Sequence, residues 1–156
     1  MNGWIRLGLL TFATVALAAL PFQTRNIQAQ EASARFRVMV PRVPPANQES
    51  RKFGERLAEE LRDLINDMAT HQPVDEDEIE DALDRFDMDW EDLNCIRTRQ
   101  LGQQIGAELV FCGSYSREGE GWNVSGSFVG SNGEALEVEP VTVPDRGQEE
   151  AAQHFF

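Results

Sequence analysis

Two cysteines, two histidines and one dense run of carboxylates are the residues of this 156-residue chain with chemistry to offer. Cys95 and Cys112 are the only cysteines. Both lie beyond an apolar N-terminal stretch with the character of an export signal, so they meet an oxidising compartment. In a helix ending at Ile105, Cys95 lies roughly 15 Å back along the axis. In a strand starting at Ala107, Cys112 lies roughly 16 Å along it. Helix and strand run antiparallel, so the thiols reach the same height, and a Cys95–Cys112 disulfide is expected; two separate buried thiols are the alternative. A Cys-x-x-Cys motif is absent, which makes the bond a stabilising one and not a catalytic one.

The remaining candidates form no constellation. His71 falls in a connection and His154 in a terminal helix, without neighbours that would complete a metal or catalytic set. Ser114, Ser116, Ser125 and Ser127 stand on strands with no Gly-x-Ser-x-Gly elbow. Lys52 is the only lysine, and no Gly-rich phosphate loop precedes a helix. Asp75 to Asp92 holds eleven carboxylates and one arginine, Arg85. An EF-hand calcium loop needs a glycine at its sixth position, and this run has none. It reads as a solvated helical face or as a docking surface for a basic partner. Asn123-Val124-Ser125 has the form of a glycosylation sequon but falls mid-strand. No catalytic residue, metal ligand or cofactor is expected, and the partner-binding residues are unknown at this level.

Charge narrows the partners. All 27 acidic residues and twelve of the 14 basic ones lie beyond Gln30, a formal charge of −15 there. Such a surface repels nucleic acid, which needs Lys and Arg to displace its counterions, and an anionic bilayer. A protein partner, including one of basic character, is compatible with it; no small-molecule substrate is indicated.

These residues need elements to position them. Leu7 to Leu20 is an uncharged run of 14 residues after Arg6, ended by Pro21. It falls short of the ~20 residues that span a bilayer and matches a secretory signal over residues 1–30. Cutting after Ala29 or Ala34 is compatible with the sequence, and an uncleaved short anchor, the only route to membrane association, is the alternative. The domain follows over 35–156. Arg35 to Val40 alternates as a half-buried strand with Phe36, Val38 and Val40 on one side. After Pro41, Pro44 and Pro45, Asn47 or Ser50 caps a helix to Met68, whose apolar face is Phe53, Leu57, Leu61, Leu64, Ile65 and Met68. Leu57, Leu61 and Leu64 are expected beside Val38, Val110 and Trp122. Ala69 to Val74 is a connection or an edge strand. Asp75 and Glu78 have capping-box spacing for a short helix carrying Ile79, Leu83 and Phe86. Another helix, from Trp90 or Leu93, stops at Gly106. Strands follow at Glu108–Ser116, the central one, Trp122–Val129 and Glu134–Val143, with hairpin-type turns between them. A helix begins at Gln148; it is short, and the start of a longer protein is a further alternative.

The resulting fold class is α/β (α+β), a small mixed sheet with helices packed on it in the order β-α-β-α-α-β-β-β-α. The stretch Leu101-Gly102-Gln103-Gln104-Ile105-Gly106-Ala107-Glu108-Leu109-Val110-Phe111-Cys112-Gly113-Ser114-Tyr115 resembles a motif of the TolB amino-terminal domain, shared with CsgG-like envelope proteins. Trp90, the helix from near Ser50, Gly121-Trp122-Asn123-Val124 and Asn132-Gly133-Glu134 extend the likeness over 35–143. No β-propeller follows and no lipidation cysteine precedes, unlike the named relatives. The resemblance implies a non-enzymatic, periplasmic or secreted domain of the bacterial cell envelope that binds or scaffolds proteins. A membrane-anchored sensor or assembly module is the alternative. A small secreted enzyme using Asp75, Glu78 or Asp92 is the second.

Overall fold

The computed structural model describes residues 35–156, so the segment read as an export signal lies outside the described residues. The elements are β1 (Phe36–Met39), α1 (Lys52–Asp67), β2 (His71–Pro73), α2 (Glu76–Arg85), a 3-10 turn (Trp90–Asp92), α3 (Cys95–Gln104), β3 (Leu109–Glu118), β4 (Gly121–Gly130), β5 (Ala135–Pro144) and α4 (Gln148–His154). They form the mixed α+β fold expected from the sequence pattern. The sheet order is β2-β1-β3-β4-β5. β1 pairs in parallel with both β2 and β3, and the β3-β4-β5 meander is antiparallel.

Alternation along the strands divides the core in two. Val38, Val40, Phe111, Tyr115, Trp122, Val124 and Phe128 meet α1 and α4, whereas Met39, Val110 and Val129 meet α2 and α3. The 3.6-residue period of α1 buries Phe53, Leu57, Leu61 and Ile65 on the first face. Leu64 is only partly buried there. Val110 corrects the expected cluster: strand alternation turns it to the other side, against Leu101 of α3. Phe36 also departs from expectation. It shares the parity of Val38 but is 53% exposed, because β1 begins beyond the reach of the helices.

Neither expected helix cap forms. Arg51 occupies the N-cap of α1 with no side-chain bond. Asp75 occupies the N-cap of α2 but its side chain makes no cap bond, and the reciprocal bond is lost because the Glu78 side chain turns to Arg37 at 2.7 Å. Capping-box chemistry appears instead at Asp89 and Asp92 around the 3-10 turn. The long helix is pinned close to the proline loop by Gly54: a β-carbon there would lie 1.9 Å from the Val43 carbonyl oxygen. Gly106, at φ +73°, ends α3 in the left-handed conformation that glycine tolerates.

Candidate functional site

The structure does not assemble the candidate chemical residues. The His71 ring packs on Phe36 and its Nδ1 lies 2.8 Å from Thr70 Oγ1. His154 Nε2 lies 2.8 Å from the Glu139 carbonyl oxygen. Among the described residues, no group of three or more His, Cys, Asp or Glu is placed to hold a metal ion. Of the three carboxylates weighed as enzymatic, Glu78 is tied to Arg37. Asp92 accepts from the Asp89 amide and from Arg97, which together hold its carboxyl below the usual range. A carboxyl shifted in that direction is a poor general acid. Asp75 sits exposed at the start of α2.

The acidic run is more than a solvated face. Glu76 accepts from Arg42 and Arg62, Glu80 from Arg42, and both carboxylate oxygens of Glu78 from Nη2 of Arg37. Arg62 is the most enclosed, with 14% of its side chain exposed, and also donates to the Val40 carbonyl. Arg42 lies over the Trp90 ring, 4.4 Å from its centroid. The run therefore fastens α2 to β1 and α1. Sequence spacing carries no sign of this, since the partners lie up to 41 residues apart.

Cys95 and Cys112 are bonded, with Cα atoms 5.2 Å apart. Cys95 opens α3, and Thr98, Leu101 and Gly102 of that helix are buried against the sheet. The bond forms one wall of a trough of about 540 Å³ on the half of the sheet that α2 and α3 leave open, floored by Ser114, Ser125 and Ser127.

The opposite sheet face carries a different surface. Phe36, Leu136 and Phe156 are 53%, 67% and 50% exposed, three of the five large apolar residues so exposed among the described ones. Phe36 and Leu136 line one concavity of about 530 Å³ with Leu109 and Phe128. Phe156 extends it, its ring 5.3 Å from that of Phe128. The register explains the band: Leu109 pairs with Gly130 on β4, and Phe128 with Leu136 on β5. One row of apolar side chains thus crosses the end of the sheet where α1 and α4 no longer cover it.

Comparisons with known proteins locate the fold. No family model and no curated protein matches the sequence. Among solved structures, the LpoB C-terminal domain from Salmonella enterica superposes with a TM-score of 0.55 at 17% identity, over 76% of this chain and 89% of that one. Lipoprotein GNA1162 from Neisseria meningitidis gives a TM-score of 0.59 at 13% identity, over 70% of this chain and 81% of that one. The fold is shared with these proteins. A TolB structure from Acinetobacter baumannii gives a TM-score of 0.49 at 14% identity, over 76% of this chain and 25% of that one.

Asp145 and Glu60 also depart from ordinary titration. A hydrogen bond from Arg117 holds the Asp145 carboxyl below the usual range, and Trp122 Nε1 donates to the same oxygen at 3.1 Å. Burial pushes the Glu60 carboxyl up, with Glu149 on α4 adding to the shift. Neither lines the trough or the apolar concavity.

Proposed function

We propose that this chain is an exported cell-envelope protein whose domain, residues 35–156, binds another protein and catalyses no reaction. The exposed apolar row through Phe36, Leu136 and Phe156 carries the reading. A contiguous apolar surface on an otherwise strongly acidic domain costs solubility unless a partner covers it. Residues 1–30 act as the export signal in this reading. A disulfide suits the oxidising compartment that export leads to. No helix among the described residues is long and apolar enough to cross a membrane. The resemblance of the stretch Leu101 to Tyr115 to a motif of TolB amino-terminal and CsgG-like envelope domains supports the reading, and the fold shared with a protein described as a lipoprotein is consistent with that setting.

The test is reversible in-cell cross-linking of the full chain followed by envelope fractionation. A discrete complex is expected from the parent protein. It should disappear in the double variant Leu136→Ser, Phe156→Ser, whose melting temperature stays close to the parent's because both side chains already face solvent. A complex that survives the double substitution, or a parent that forms none, contradicts the proposal.

A further inference from the structure

The apolar concavity has a charge character of its own. Two carboxylates, Glu108 and Glu134, line it together with Leu109, Phe128 and Leu136, and no lysine or arginine does. Glu108 accepts a hydrogen bond from the Arg37 backbone amide at 2.6 Å, and Glu134 accepts from the Asn132 side chain at 2.7 Å. Those donors are neutral, so neither hydrogen bond brings a cation of the domain to these carboxylates. Two nearby arginines are engaged elsewhere: Arg37 with Glu78 and the Ile105 carbonyl, Arg35 with the carbonyls of Asn66 and Met68. Arg99 reaches Gly133 in the same turn but forms an ion pair with neither carboxylate. This contrasts with the acidic run of α2, where Glu76, Glu78 and Glu80 all hold guanidinium groups of the domain itself.

We infer that the concavity docks a cationic segment of the partner protein, in which an aliphatic or aromatic side chain meets Leu109, Phe128 and Leu136 while a flanking lysine or arginine reaches Glu108 and Glu134. A second copy of this chain is the wrong occupant: two molecules carrying −15 each beyond Gln30 repel one another. The apolar contact supplies most of the affinity, and the two carboxylates select the sign of the partner's charge. The partner chemistry named here rests on the protein-binding reading of the same patch.

The experiment places a photoreactive side chain at position 136 of the full chain in its native host, with position 81 on the exposed face of α2 as control. Adducts are compared in the parent and in Glu134→Lys, Glu134→Gln and Glu108→Gln backgrounds. Adduct from position 136 is expected to fall about fivefold or more with Glu134→Lys. The attached partner peptide should contain lysine or arginine, and position 81 should give none. Because Glu108 also holds the Arg37 amide, Glu134→Gln serves as the variant that leaves the fold intact, with a thermal melt of each variant as a check. An adduct unchanged in every charge variant, or joined to an acidic segment, overturns the cationic partner while leaving the protein-binding reading standing. Cross-linking to a second copy of the chain overturns the choice of occupant. Absence of any adduct from position 136 overturns both.

Discussion

Replacing Cys95 and Cys112 by alanine removes a cross-link that closes a loop with a sequence separation of 17. In the chain-entropy account, a loop of this length contributes about 3 kcal/mol by restricting the unfolded chain. The native side adds little cost, because Cα atoms 5.2 Å apart already suit a disulfide and no backbone need move. Total stability of such a domain is about 5–15 kcal/mol, so the double variant should remain folded but weakened. For a domain of this size, each kcal/mol corresponds to a few degrees, and the expected drop in melting temperature is about 8–15 °C. α3 stays docked through Leu101 against Val110, so the loss should be global and cooperative, not a melting of that helix alone. The assay is calorimetry of parent and double variant with and without a reductant. Reductant should lower the parent to the variant's temperature and leave the variant unchanged. Equal melting temperatures in all four samples, or two alkylatable thiols in protein isolated from the envelope, would refute the reasoning.

Other positions test the packing. Leu61→Ala should cost ~2–5 kcal/mol, since its side chain is fully buried between α1 and the sheet; a loss under about half a kcal/mol in urea titration would mean that the helix faces water. Gly54→Ala should destabilise by about 1–3 kcal/mol, although alanine favours helix, because the new methyl meets a backbone oxygen at 1.9 Å. A higher urea midpoint for that variant would show the proline loop to be loosely held. Glu60 has its folded pKa raised by burial first and then by Glu149, Asp63 and Glu59. Its contribution is therefore complete below the ordinary carboxylate pKa and lost as pH rises through the raised value. Glu60→Gln should raise the melting temperature at pH 7, with the gain vanishing near pH 4; a gain independent of pH would assign the effect to something other than charge.

How much of this was legible in the sequence depended on range. The period of Phe53, Leu57, Leu61 and Ile65 fixes the buried face of α1 because it is a property of one helix. Gly106 marks the end of α3 for a local backbone reason. The capping box expected at Asp75 and Glu78 lacks its Glu78 half because a distant guanidinium, that of Arg37, competes with the local amide for the carboxylate. Val110 looked like a companion of Leu61, but a continuously apolar strand does not announce which of its residues faces which layer. The apolar row was the least visible. Phe36 alternates with Val38 and Val40 as a buried residue should, and only the point where α1 and α4 end decides that it stays open. Leu136 offered one signal, an apolar residue in the weakest strand, which gained meaning once β5 paired with β4 beside Phe128.

The most direct measurement is hydrogen exchange of the domain alone and in complex with the protein that cross-linking recovers. Binding through the apolar row predicts slowed exchange confined to the start of β1, the Gly130–Glu137 segment and the last residues after Ala152. Protection centred on Cys112–Ser114 and Ser125–Ser127 of the open trough, with the row unchanged, would contradict it.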